Sequence, residues 1–338
     1  MNQHSIPTYP YTQESLFEQA INNDISCFWE NRQEGTIPAF DRKQLYWCRF
    51  THPDHNQMIF IANGRIESTW KYQELLYDLF RQGYDIYTYD HRGQGFSARL
   101  CDDEQIGHVG EFDDYIRDME TLLEHIETKT YQARFLLAHS MGGAVVTRYI
   151  QTHPRHGFHA MALTAPMFGL NIPRLLRPIA LPLTQILSGL SAKPTYAPGY
   201  QAYYPKPFED NPLTHSQIRY QWFRALYEEH PELKIGGPST HWVWQSLIAI
   251  RQCHQLTRQI TLPTLILQAG EDTIVNNHAQ DLFCRKVAKT NPQIDLVNIA
   301  GAKHELLFET DQYRTPTLDE ILKHFSSCSP DVSAVSAY

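Results

Sequence analysis

The sequence predicts an α/β protein: a mostly parallel, doubly wound sheet interrupted by a helical cap insertion. Three observations lead there. Short apolar runs alternate with segments of helical periodicity over residues 57–164, and the alternation resumes over residues 264–325. Those runs are apolar at successive positions, as strands covered by helices on both faces must be. Between the two stretches the rhythm fails, and eleven prolines fall between Pro166 and Pro238, too many for regular helix and strand repeats.

Taken in order, Gln57–Ala62 reads as a buried strand, followed by the turn Asn63-Gly64-Arg65. Trp70, Leu75, Leu76, Leu79 and Phe80 have helical spacing and predict a helix over Trp70–Arg81, stopped by Gly83. Tyr84–Tyr89 is the next strand and ends in the glycine-rich turn Asp90–Gly95. Phe112–Ile126 reads as a helix, Arg134–Leu137 as a strand, Ala144–Gln151 as a helix and His159–Thr164 as a strand. Residues 166–256, rich in proline and in tyrosine and tryptophan, read as short helices and loops capping one edge of the sheet. Beyond them come a strand Thr264–Ala269, a helix Asn277–Ala288, a strand Ile294–Ile299 and a last helix near Thr317–Phe325. Residues 1–40 are expected to be helical or irregular, 41–165 and 257–325 to form the core, and 326–338 to be a disordered tail.

Composition narrows the functional classes. The chain has 338 residues, 42% of them hydrophobic and 20% charged, enough for one large α/β domain bearing an insertion. A net charge of −8 without a basic stripe argues against nucleic acid as a partner. No apolar run reaches the roughly 18 residues of a membrane span. Met1–Tyr11 is polar and lacks the pattern of a secretory signal, so a cytoplasmic location is expected. Six cysteines without a C-x-x-C pair are expected to be reduced thiols. His153, His156 and His159 recur every three residues, but Pro154 and Gly157 interrupt them, which predicts a connecting loop rather than a metal site.

The chemistry centres on Ala138-His139-Ser140-Met141-Gly142-Gly143. A strand precedes it and a helix follows, so Ser140 sits on a sharp strand-to-helix turn that lifts its hydroxyl above the sheet. Such a turn admits only small neighbours, which accounts for Ala138, Gly142 and Gly143. A serine nucleophile needs a base and an acid to orient it, supplied from the carboxyl ends of later strands. The strand ending at Ala269 runs into Gly270-Glu271-Asp272, and the strand ending at Ile299 runs toward Lys303-His304-Glu305. The order serine, aspartate, histidine is that of nucleophile-elbow hydrolases. Asp272 is preferred as the acid because the apolar pair Ile274-Val275 follows it; Glu271 is the alternative. The oxyanion of a tetrahedral intermediate requires two backbone donors, for which the amides of Met141 and Arg65 are placed. The role of the Arg65 side chain is left open between solvation and contact with a polar headgroup. Asp90–Ser97 is read as a structural turn.

Together these stretches resemble the α/β-hydrolases of the monoacylglycerol lipase and lysophospholipase group. Gly64-Arg65-Ile66-Glu67-Ser68, Leu163–Gly169, Leu213–Ser216 and Gly236-Gly237-Pro238 are similar to its bacterial lysophospholipases in particular. The resemblance runs from about Asp41 to Phe325 and includes much of the insertion. It implies an α/β-hydrolase fold with Ser140 as nucleophile, Asp272 as acid, His304 as base, and the Arg65 and Met141 amides as oxyanion hole. It also implies a lysophospholipid or related single-chain acyl ester as substrate, with no metal or organic cofactor. The group usually has His-Gly where this chain has Asn63-Gly64, and glycine where it has Ala138. The first departure leaves the hydrogen bonding behind the oxyanion loop undetermined; the second is sterically small.

The insertion supplies material for an acyl groove in Leu175, Leu176, Ile179, Leu181, Leu183, Ile186, Leu187 and Leu190. Most of these are expected to hold the cap to the main domain. The other use is peripheral membrane contact, with Arg174, Arg177 and Lys193 meeting anionic lipid. Three rivals follow. The same chemistry on monoacylglycerol or a small ester depends on the pocket. A peptidase would need cap carboxylates, for which only Glu228-Glu229 offers. A non-catalytic binding protein of this fold would be expected to lack a member of the triad.

Overall fold

The computed structural model describes residues 9–126, 130–173 and 175–330. Its centre is one eight-stranded sheet in the order β1-β2-β4-β3-β5-β6-β7-β8. The strands are β1 Gln33–Pro38, β2 Gln44–Phe50, β3 Gln57–Ala62, β4 Tyr84–Tyr89, β5 Ala133–His139, β6 Ala160–Thr164, β7 Thr264–Ala269 and β8 Ile294–Ile299. β1, β2 and β4 pair antiparallel, and β4 onward across the sheet is parallel. The helices are α1 Phe17–Asn22, α2 Asp24–Glu30, α3 Gln73–Arg81, α4 Asp113–Ile126, α5 Met141–Thr152, α6 Ala180–Gly189, α7 Gln217–Glu229, α8 Thr240–Gln255, α9 Asn277–Val287 and α10 Asp311–Ser327. This is a doubly wound α/β sheet.

The topology positions the site. β3 lies between β4 and β5, so the chain leaving β3 turns one way to reach β4 and later returns on the other side. Ligand crevices form where such connections diverge, beyond the carboxyl ends of the strands. The register aligns Ala62 with Ala138, which brings the turn after β3 beside the serine turn after β5.

Several boundaries differ from the expectations. The region 1–40 holds α1 and α2 but also β1, a strand of the sheet. Gly35 and Pro38 mask β1 in the sequence; as an edge strand it tolerates both, and Gly35 lies against the Trp47 ring. The helix predicted from Trp70 begins as a 3-10 turn, Thr69–Tyr72. There Asp90 Oδ1 accepts from the Thr69 amide at 2.6 Å, and Lys71 is drawn inward by carboxylates. The last helix starts at Asp311, earlier than periodicity indicates, and carries Pro316 within it. Its first turns are held by Arg314, which donates to Leu307 O at 3.0 Å and to Asp78 Oδ2 at 2.7 Å. Ser326 and Ser327 of the expected tail belong to this helix, Cys328 caps it, and residues 331–338 lie outside the described residues.

Between β6 and β7 run α6, α7, α8 and long connecting loops. Phe17, Ile21 and Ile25 of the first two helices pack with Trp222 of α7, so the start of the chain also supports this layer. A buried cation fixes α7 to the core. Arg219 donates to Glu74 at 2.9 and 2.8 Å, to Asp311 at 3.0 Å and to Glu309 O at 2.8 Å.

The leucine-rich stretch is not an anchor. Leu175, Leu176, Ile179, Leu183, Ile186 and Leu190 are exposed, at 92% for Leu175 and 76% for Leu190, and only Leu181 and Leu187 are half-buried. Helix α6 is apolar around most of its circumference, so packing on α8 covers only part of it. Arg174 lies outside the described residues, as does the side chain of Arg177, and Lys193 pairs with Asp102 at 2.8 Å. All six cysteines are free thiols. His153 pairs with Glu120, while His156 and His159 accept from backbone amides. Among the described residues no helix is long and apolar enough to cross a membrane.

Removing Arg219 would leave Glu74 buried without its main partner. Arg219→Met is therefore expected to cost about 3–5 kcal/mol, seen as a fall in Tm of several degrees; an unchanged Tm would show that the cluster is not holding α7 in place.

Candidate active site

Ser140 begins the site. It stands between β5 and α5 at φ 52° and ψ −115°, a left-handed conformation that a non-glycine residue adopts only under constraint. The constraint is close packing. A Cβ on Gly142 would lie 2.3 Å from Ala62 O, and one on Gly143 would lie 2.7 Å from Pro166 Cβ. The Ser140 amide donates to Thr164 O at 3.0 Å, and Ser140 O accepts from Met167 N at 2.9 Å, so β6 and its following turn grip both sides.

The three side chains expected from the sequence meet here. His304 Nε2 lies 3.0 Å from Ser140 Oγ, and His304 Nδ1 lies 2.7 Å from Asp272 Oδ2. The other Asp272 oxygen accepts from the amides of Ile274 at 2.7 Å and Val275 at 3.0 Å. Burial pushes the Asp272 carboxyl up, but His304 and these two amides outweigh it and hold it below its ordinary value. Glu271, the alternative acid, is exposed. With Asp272 ionised, Nδ1 of His304 carries the proton and Nε2 presents a lone pair to the serine.

The Met141 amide is the first of α5 and has no helical carbonyl to bond. The Arg65 amide has no acceptor among the described residues, and both residues line the cavity above Ser140. The loop that carries Arg65 is held from behind. Gln94 Nε2 donates to Gly64 O at 2.7 Å and to Glu67 O at 2.8 Å, and its Oε1 accepts from Ile66 N at 3.2 Å. Ile66 is itself at φ 69°, an uncommon state for a β-branched residue. His91 Nε2 contacts Asn63 O at 3.0 Å, and Asn63 Nδ2 donates to Tyr89 O at 3.1 Å. The glycine-rich turn after β4 therefore braces the loop that carries the Arg65 amide. The backing partners that the Asn63 departure leaves undetermined are Tyr89, His91 and Gln94.

A buried ion cluster links that loop to the histidine. Lys71 Nζ donates to Glu67 Oε1 at 2.8 Å and to Glu305 Oε1 at 2.7 Å. Glu67 Oε2 also accepts from Gly64 N at 2.5 Å and Tyr72 Oη at 2.7 Å. Burial raises the Glu67 carboxyl, but Lys71, His139 and Tyr72 bring it down to about 2, whereas burial beside Glu67 raises Glu305. Glu67, Lys71 and Glu305 are site residues without a sequence signature. The one regularity the sequence offers is the spacing of four between Glu67 and Lys71 and the adjacency of Glu305 to His304.

Above these residues lies a cavity of about 850 Å³. Its lining includes aliphatic side chains, among them Met167, Leu170, Leu176, Leu183, Val243 and Val275, and an aromatic cluster of Tyr203, Tyr220, Phe223 and Tyr227 around Arg224. The only carboxylates lining it among the described residues are Glu67 and Glu305, both tied to Lys71. Glu228 and Glu229 are exposed and do not line it, and Glu228 pairs with Lys234 at 2.6 Å.

A doubly wound sheet with serine, histidine and aspartate joined at its carboxyl edge defines an α/β-hydrolase. Residues 53–311 match the family described as serine aminopeptidase, S33 (Hydrolase_4), and the chain belongs to this family of serine hydrolases. It is 37% identical to lysophospholipase L2 of Escherichia coli, over 93% of this chain and 94% of the relative. It is 34% identical to the probable lysophospholipase L2 of Haemophilus influenzae, over 92% and 97%. In fold it resembles a soluble variant of monoglyceride lipase from Saccharomyces cerevisiae solved with a substrate analog. The TM-score is 0.67 at 17% identity, over 88% of this chain and 96% of that one.

Two measurements probe the scaffold of the site. Gln94→Ala should lower kcat on a short neutral ester about 10- to 100-fold with little change in KM, because the oxyanion loop loses its clamp; a pure KM effect would contradict this. His139 is enclosed, and burial lowers its pKa to about 4. Its folded value lies below that of free imidazole, so the stability of the neutral ring is intact above about pH 6.5 and is lost as pH falls toward 4. The loss is about 2 kcal/mol at pH 5. The stability gap between wild type and His139→Gln should narrow by that amount from pH 7 to pH 5, followed by chemical denaturation.

Proposed function

We propose that this protein is a lysophospholipase that cleaves the fatty-acyl ester of a single-chain phospholipid through an acyl-enzyme. The observation that carries the reading is the chain Asp272–His304–Ser140, with contacts of 2.7 and 3.0 Å, whose Ser140 and His304 line a cavity that also has aliphatic side chains in its lining. Ser140 Oγ attacks the ester carbonyl as His304 Nε2 takes its proton, and the Arg65 and Met141 amides receive the oxyanion. Collapse expels the glycerol oxygen, which leaves as an alcohol with the proton from His304. Water, deprotonated by the same ring, then attacks the acyl-enzyme and the fatty acid departs. An alcohol in place of water gives acyl transfer between lipids. No step calls for a metal or organic cofactor.

The lysophospholipase L2 relatives support this substrate class, and a more distant sequence likeness to monoglyceride lipases, 26% identity over 82% of this chain for that of Rattus norvegicus, supports monoacylglycerol as the second reading. The family description raises peptidase chemistry, but among the described residues the only carboxylates lining the cavity, Glu67 and Glu305, are both held by Lys71, with which a substrate amine would have to compete. The exposed apolar face around Leu175, Ile179, Ile186 and Leu190 favours peripheral contact with a membrane surface, from which a single-chain lipid would enter the cavity beside Leu176 and Leu183. A cytoplasmic location facing that surface completes the reading.

Fatty-acid release from lysophosphatidylethanolamine and from monoacylglycerol should be compared in wild type, Ser140→Ala and Asp272→Asn. Ser140→Ala is expected to abolish release, and Asp272→Asn to lower kcat about 10³- to 10⁴-fold through the wrong histidine tautomer. Release that survives in Ser140→Ala would remove the mechanism. Preference for monoacylglycerol would keep the mechanism and change the substrate.

A further inference from the structure

The Arg65 side chain lines the cavity beside Ser140, and no carboxylate pairs with it among the described residues. One of its donors is engaged: Nη1 bonds to Gly236 O at 3.3 Å. The guanidinium carbon lies 5.4 Å from the centre of the Trp242 ring, which holds the side chain in place. Lys71, Lys206 and Arg224 also line the cavity; Lys206 is half-buried and, like Arg65, has no carboxylate partner among the described residues, but it belongs to the cap loops and not to the turn beside Ser140. Lys71 is bonded to Glu67 and Glu305, and Arg224 is ringed by Tyr203, Tyr220, Phe223 and Tyr227 with Glu228 nearby.

A guanidinium taken from water without a counter-ion is costly, and burial lowers its pKa to about 10. Arginine still keeps its proton at physiological pH. An unneutralised positive charge therefore faces the cavity from the residue next to the position the ester carbonyl would occupy. A neutral monoacylglycerol has nothing to pair with it; a lysophospholipid has a phosphodiester. An extended arginine side chain is about as long as the glycerol unit that separates acyl ester from phosphate. The guanidinium fork also matches phosphate oxygens.

We propose that the Arg65 guanidinium binds the phosphodiester of the lysophospholipid while the Arg65 main-chain amide receives the ester oxyanion. One residue then reads both the bond to be cleaved and the headgroup that distinguishes a lysophospholipid from a monoacylglycerol. The assignment rests on the substrate class proposed above and makes Arg65 its specificity determinant.

The test measures kcat/KM for lysophosphatidylethanolamine and for a monoacylglycerol of the same acyl chain, in identical mixed micelles, for wild type, Arg65→Gln and Arg65→Lys. Any disturbance of the oxyanion loop falls on both substrates and cancels in the ratio. Arg65→Gln is expected to lower the lysolipid-to-monoacylglycerol ratio about 10- to 100-fold, mostly through KM, and Arg65→Lys to recover part of it. An unchanged ratio in an enzyme that hydrolyses lysolipids overturns the assignment and leaves the substrate reading standing. A change confined to inhibition by free fatty acid, with the ratio unaltered, would identify the product carboxylate as the bound anion and also overturns it. A wild-type enzyme that does not hydrolyse the lysolipid overturns the substrate reading and the assignment together.

Discussion

Lys71 holds the machinery together from beneath. Its ammonium bridges Glu67, whose other oxygen fixes Gly64 on the oxyanion loop, and Glu305, the neighbour of His304. Two loops that follow different strands, β3 and β8, are thereby tied to one buried cation. Ions removed from water to this degree are stable only when each is paired and hydrogen-bonded. The cluster therefore tolerates little displacement of either loop. The 3-10 turn Thr69–Tyr72 that opens the way into α3 is the local backbone solution that brings Lys71 inward. Asp90, at the end of β4, bonds the Thr69 amide and the Phe96 amide, so the turn carrying Gln94 is locked to the same group of residues.

The elbow adds a steric constraint to this electrostatic one. Ser140 keeps its left-handed backbone because Gly142 packs against the carbonyls of Ala62 and Asn63, leaving no room for a relaxed turn. That contact brings β3 and the start of α5 close enough for the Arg65 and Met141 amides to face one cavity. The cap then decides what enters. Its loop contributes Leu213, whose carbonyl accepts from the Glu305 amide at 2.8 Å, so the cap also pins the histidine loop. The N-terminal helices and Arg219 in turn hold α7. The start of the chain, far from Ser140 in sequence, thus helps shape the space above it.

Much of the site was legible because its chemistry forces local sequence. Small residues around Ser140, a carboxylate just after β7 and a histidine just after β8 follow from a nucleophile elbow in chain order. Strands β3, β4, β7 and β8 were legible to the residue: the first three are buried along almost their whole length and read as largely apolar runs, and β8, an edge strand, keeps isoleucine at both ends with Leu296 and Val297 between them. The edge was not. β1 contains Gly35 and ends at Pro38, and edge strands are free of the pattern that marks buried ones. The leucines of the cap misled for the opposite reason: a run of apolar residues announces burial against something, and here their outer surface has no protein cover.

By itself the amino-acid sequence determined the class of fold, the order in which Ser140, Asp272 and His304 follow along the chain, and the two turns, after β3 and β5, whose amides are proposed to receive the oxyanion. Each of these depends on spacing along the chain and on backbone conformations that few residue types accept. Tertiary structure alone decided which carboxylate faces His304, what backs the oxyanion loop, which leucines are exposed and where the Arg65 guanidinium points. Those are relations between segments tens to hundreds of residues apart. They are set by burial, which makes a charge such as Lys71 depend on partners from distant loops and leaves the Arg65 guanidinium with no carboxylate partner among the described residues.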